Sequence, residues 1–234
     1  MKKIYANAVS ALFGKKYRKD IRRLLLSEGF QKTNSSNKII LVKNGIEKEL
    51  GYDEKIPGLN IVIEGQNNVV KIYHPTRFQG TLIKIAGDGN EVCIKETIHV
   101  FAQAYINLST RANKRKVYID KNFSCNQVAF RLVGDNHTLT VGKDCMFSDD
   151  IDVMNGDSHK IFDKDGKLMN ASYDKMIGNH VWIAAGCKIL KNANINDGCI
   201  IGAGSVLTKT FDEKNAVIAG NPAKIVKQNI RWER

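Results

Sequence analysis

From Ile177 onward a large aliphatic residue recurs at every sixth position. The steps read IGNHVW, IAAGCK, ILKNAN, INDGCI, IGAGSV and LTKTFD, led by Ile177, Ile183, Ile189, Ile195, Ile201 and Leu207. Fifth place holds Val181, Cys187, Ala193, Cys199, Ser205 and Phe211, and it is small at four of the six steps. Neither the helix period of about 3.6 nor the strand period of about 2 needs such a repeat. A coil with three flat faces does. Each face is a short strand that sends one aliphatic into the interior, and a small residue near the corner leaves the backbone room to turn. Three steps make one coil of about 18 residues, and coils stack with like positions over like. The pattern therefore predicts an all-β solenoid with roughly two regular coils here.

The register continues upstream as VGKDCM, FSDDID and VMNGDS from Val141. Steps starting at His159, Asp165 and Ala171 lack the leading aliphatic, so residues 159–176 read as a loop leaving a corner. Before Val141 only a weak pattern recurs. QNNVVKI, GNEVCI and DNHTLTV each place an Asn before alternating aliphatics, which suggests irregular early coils with Asn and Gly at tight corners. At the N-terminus, Leu12, Phe13, Tyr17, Ile21, Leu24 and Leu25 fall near helical spacing, with Gly29 as a stop. Such a helix would cap the open end of the solenoid. The expected organisation is a helical cap over 1–35, a β-helix over 36–220 and a short helical tail over 221–234. Within the β-helix the coils are irregular to about 140 and regular over 141–158 and 177–212.

Composition narrows the field. The chain of 234 residues is 43% hydrophobic and 26% charged, near the globular average, and no apolar run reaches membrane-span length. Five cysteines with no CxxC pair point to buried thiols in a reducing compartment, and a cytoplasmic location is expected. Net charge is +12, with a cluster at Lys15, Lys16, Arg18, Lys19, Arg22 and Arg23. That cluster could meet an anionic surface or remain a solvated helix face.

The segment from about Met146 to the C-terminus resembles the hexapeptide-repeat acyltransferases, and more narrowly the bacterial sugar and capsular-polysaccharide O-acetyltransferases. The resemblance rests on DSH at 157–159, IGNHVWI at 177–183, IGAGSV at 201–206 and GNPAK at 220–224. It implies a left-handed parallel β-helix, a homotrimer, and acetyl-CoA held between neighbouring prisms. Spacing alone gives no handedness. The resemblance places the catalytic base at His159, where a neutral imidazole would take a proton from a sugar hydroxyl attacking the thioester. Asp157 shares a face with it on an extended strand and could fix its tautomer, with Asp149 and Asp150 as rivals. Trp182 matches the tryptophan that lies along the pantetheine arm; His180, in the same step, is expected to face solvent. Ala185, Ala203, Thr208 and Lys209 match donor contacts. Lys224 and Lys227 stand where some relatives carry arginines, keeping the charge but not the two-pronged fork.

The expected function is transfer of acetyl from acetyl-CoA to a hydroxyl of a sugar or surface polysaccharide, sialic-acid-containing polymers included. Three alternatives compete with it. An amine acceptor on an amino or nucleotide sugar would use similar residues. A zinc lyase on the same fold needs three histidines, two of them close in sequence, whereas no two of His74, His99, His137, His159 and His180 lie nearer than 21 residues. No metal is expected. A basic solenoid that binds an anionic polymer without catalysis is permitted by the charge, but no nucleic-acid motif accompanies it.

Overall fold

The structure is a computed structural model and describes residues 29–32, 34–51 and 53–234. The expected N-terminal helix and its basic cluster lie outside those residues. Among the described residues the chain winds into a three-sided parallel β-helix with two eight-stranded sheets and one seven-stranded sheet, and no helix. On one face, strands Leu59–Glu64, Thr81–Ala86, Ala104–Leu108, Val128–Arg131, Ile151–Met154, Lys188–Ile189 and Val206–Leu207 pair in that order, all parallel.

Like stacks on like inside. Ile61, Ile83, Ile106, Phe130, Val153, Ile189 and Leu207 form one column, each at most 1% exposed. All six leading aliphatics of the repeat and five of its six fifth-place residues are buried to the same degree. Successive members of the column are 22, 23, 24, 23, 36 and 18 residues apart. The early coils are therefore longer than eighteen, because their corners carry extra residues, and the step of 36 contains the loop. A second column stacks Phe78, Phe101, Phe123 and Phe147, with successive ring centroids 5.4, 5.1 and 5.0 Å apart. Phe211 departs from its expected fifth place. It bridges Ile195, sixteen residues back, so the last coil is short and Phe211 fills an interior leading position.

The asparagines of the early coils form a ladder. Asn37 Oδ1 accepts from the backbone and side-chain N–H of Asn68, and Asn68 Oδ1 accepts from both of Asn90. Asn90 Oδ1 then accepts from the backbone N–H and Nε of Arg115. Arg115 is fully buried, and its guanidinium donates to the carbonyls of Ala86, Leu108, Ala112 and Leu132 and to the Thr110 hydroxyl. Burial draws it down to about 10, so it stays charged at neutral pH. A longer corner leaves more backbone carbonyls without a strand partner, and one planar cation with five donors satisfies them at once.

The expected C-terminal helix does not form. Val217–Gly220 and Ala223–Lys227 make an antiparallel hairpin on the last coil, and residues 228–234 are irregular. Gly220 takes φ +109°, and the β-branched Ile225 and Val226 favour pairing over helix.

Candidate functional site

The loop leaving the prism after Asn155 is itself a hairpin. Phe162 bridges Leu168, Met169 donates to the Ile161 carbonyl at 2.8 Å, and Asp163 closes the turn by accepting from the N–H groups of Asp165 and Lys167. The returning leg ends in strand Lys175–Ile177, so the loop finishes slightly before its expected end. His159 stands at the root of the outgoing leg, exposed.

Asn170 holds that root. Its amide donates to Asp157 Oδ2 at 2.8 Å and to the His159 carbonyl at 2.7 Å, while its Oδ1 accepts from the Ile161 N–H at 2.6 Å. One nearly buried carboxamide thus ties the Asp157 side chain to the backbone of His159 and Ile161. Asp157 also accepts from Lys191 Nζ at 2.5 Å. Lys191, and then Asn170, hold the Asp157 carboxyl below its ordinary range. Both of these bonds fall on Oδ2, and the His159 ring makes no hydrogen bond among the described residues. Of the rivals, Asp149 meets Asn126 and Asp150 meets Lys188.

Lys191 is carried on a turn with an unusual anchor. Lys175 points into the prism, stacked beneath Leu139, and is 1% exposed. Its ammonium donates to the carbonyls of Leu190, Lys191 and Ala193 at 2.5, 3.1 and 2.5 Å, and it makes no ion pair among the described residues. Burial pulls it down to about 7. The returning leg is pinned separately: Ser172 Oγ shares a 2.7 Å hydrogen bond with His137 Nε2, and Asp174 lies 3.3 Å from His137 Nδ1. Gly134 and Gly156 make room, since a Cβ at either would lie under 3.0 Å from Ser172.

Trp182 lies on the outer side of another sheet, between Met146 and Ile200. Its indole Nε1 is shut off from solvent and has no acceptor among the described residues. His180 does not face solvent as expected; its ring stacks on Trp232 at 4.0 Å. Ala185 and Ala203 meet at one corner, where the Gly204 N–H donates to the Ala185 carbonyl. Thr208 and Lys209 follow the next strand, and Lys224 and Lys227 lie on the final one, opposite Ala219 and Val217. All six are exposed, and the three lysines carry no ion pair among the described residues. Small exposed residues on successive coils, with exposed lysines beyond them, suit a long ligand that ends in phosphates.

The structure thus gathers His159 and Asp157 at the loop root, and Trp182 with the donor-matching residues on the adjoining coils. No sequence motif marks Asn170, Lys191, Lys175 or Trp232. Lys175 carried one signal: a lysine two places before the leading Ile177, where an interior residue is due.

The description "bacterial transferase hexapeptide (six repeats)" matches residues 174–209. A polysialic acid O-acetyltransferase of Neisseria meningitidis is 31% identical over 192 residues, covering 73% of this chain and 88% of that protein. A polysialic acid O-acetyltransferase of Escherichia coli O1:K1 / APEC is 35% identical over 106 residues, covering 45% of this chain; the match spans 34% of that longer protein. The solved polysialic acid O-acetyltransferase OatWY superposes with a TM-score of 0.74 at 25% identity, covering 88% of this chain and 91% of that one.

Proposed function

The chain belongs to the hexapeptide-repeat acyltransferases, among the sugar and capsular-polysaccharide O-acetyltransferases with their left-handed β-helix, and on that footing we propose that it transfers acetyl from acetyl-CoA to a hydroxyl of a sialic-acid polymer. The observation that carries this is the Neisseria relative, which matches over most of both chains. The hairpin root, with His159 held by Asn170, supports the chemistry.

Acetyl-CoA, when bound, supplies an activated acetyl carbonyl. His159 accepts the proton of the acceptor hydroxyl as the new ester bond forms, and returns it to the departing sulfur as the thioester bond breaks. Asp157 acts through the root and not by touching the imidazole: its carboxylate joins Asn170 to Lys191. The Trp182 ring and the Ala185–Ala203 corner would flank the pantetheine arm. Lys209, Lys224 and Lys227 would face the nucleotide phosphates. Thr208 adds a hydroxyl on the same coil edge. An open groove of about 300 Å³, lined by Tyr173, Asn192, Asn194 and Thr210, lies beside the turn that carries Lys191 and offers an aromatic face with polar groups to a sugar.

A homotrimer fits the exposed Ile161, Phe162, Leu168 and Met169 of the hairpin, a patch that a neighbouring copy would cover. A cytoplasmic enzyme with an acidic acceptor agrees with the +12 charge; among the described residues no helix is long and apolar enough to cross a membrane. Release of free thiol from acetyl-CoA, measured across polysialic acid, neutral oligosaccharides and amino sugars, tests the assignment. Turnover with polysialic acid alone supports it. Turnover only with amino sugars would replace it with N-acetylation.

A further inference from the structure

The corners of the prism expose a ladder of acceptors. Asn122, Asp144, His180, Gly198 and Asn215 stack along one edge, each with φ between +53° and +69°. Such corners turn carbonyls outward, where no strand can satisfy them. The C-terminal residues run back along this edge as an extended segment. Ile230 N–H donates to the Asn215 carbonyl at 2.9 Å. Trp232 Nε1 donates to the His180 carbonyl at 3.0 Å, and His180 Nε2 lies 3.1 Å from the Trp232 carbonyl. Arg234 donates to the carbonyls of Asn122 and Cys145, at 3.3 and 3.1 Å, and to the Ser124 hydroxyl. Donors at 230, 232 and 234 share a face because an extended chain alternates. Arg231 and Glu233 point outward and pair with each other.

This strap buries Trp232 to 7% exposure and sets its ring 6.0 Å from that of Trp182. Trp182 thus has, on the strap side, a neighbouring ring from a residue fifty positions away in sequence. The stack on His180 and the Nε1 hydrogen bond hold the Trp232 ring, and His180 Nε2 holds its backbone carbonyl.

We propose that the strap belongs to the acyl-donor subsite, and that Trp232 is a positioning residue that holds the Trp182 ring in place for acetyl-CoA. The proposal rests on the donor reading of Trp182 given above. In Trp232→Ala, the KM for acetyl-CoA should rise about tenfold, the loss of one well-formed aromatic contact. Acceptor KM should not move, and kcat should stay within about twofold. Trp232→Phe, which keeps a ring, should restore most of the affinity. Trp182→Ala measured in parallel separates the failures. A raised donor KM in Trp182→Ala with an unchanged one in folded Trp232→Ala overturns the strap alone. Unchanged donor KM in both overturns the donor reading itself. Hydrogen exchange on the unaltered protein needs no variant to fold: CoA should slow exchange across residues 228–234, and unchanged exchange there overturns the proposal.

Discussion

Lys175→Met replaces a buried ammonium with an uncharged chain of similar length. In the folded protein the ammonium is pulled from 10.5 to about 7 by burial. In the unfolded chain it titrates near its ordinary value. Between those two pH values the unfolded chain binds a proton that the folded chain lacks, so raising the pH stabilises the fold. Below pH 7 both states hold the proton, the full cost of the buried charge is present, and the contribution is flat. Each pH unit within the window is worth about 1.4 kcal/mol, so the gain from pH 7 to 9 is about 2–3 kcal/mol. That figure is a ceiling, because the three carbonyls around the ammonium partly replace its hydration. For a domain of this size it corresponds to about 4–12 °C in melting temperature. The assay is thermal unfolding of wild type and Lys175→Met at pH 6, 7, 8 and 9, at matched protein concentration. Groups common to both proteins cancel in the difference. The wild type should gain on the variant above pH 7 and hold a constant gap below it. A gap that is constant from pH 6 to 9 would refute the reasoning and mean that the carbonyls fully stabilise the ammonium.

Two other substitutions probe separate parts of the account. Asn170→Ala frees the backbone around His159, so kcat should fall about 10- to 100-fold while the KM for acetyl-CoA stays within about threefold, read by steady-state thiol release. Arg115→Met leaves four buried carbonyls without a donor, at about 1–3 kcal/mol each, so little folded protein should survive at 37 °C by circular dichroism.

The legible part of the fold is the part whose coils are eighteen residues long. From Ile177 to Leu207 the corners keep one length, so interior positions recur at six and the register can be read directly. Upstream the same prism continues, but coils of 22 to 24 residues shift the phase at each corner and a fixed period fails. The asparagines at 68 and 90 were visible as a recurrent mark, and their meaning as a hydrogen-bonded ladder was not, because Arg115 ends it where another Asn would be expected. Asn136, which shared the pattern, is instead a corner residue at φ +60°. In place of the helical tail expected over 221–234, Ala223–Lys227 is a strand, as the β-branched Ile225 and Val226 favour. At the site, the motif resemblance singles out His159 and Trp182. It could not find Asn170 or Trp232, whose roles depend on contacts made when distant stretches fold back, 11 residues for Asn170 to His159 and 52 for Trp232 to His180.

The central claim is that His159 drives acetyl transfer to a sialic-acid polymer. The most direct measurement is free-thiol release from acetyl-CoA with polysialic acid, for wild type and His159→Ala of the same oligomeric state. Acceptor-dependent release by wild type, lost by about a hundredfold or more in the variant, is the predicted result. Near-normal turnover by His159→Ala, or release by wild type that ignores the acceptor, would contradict it.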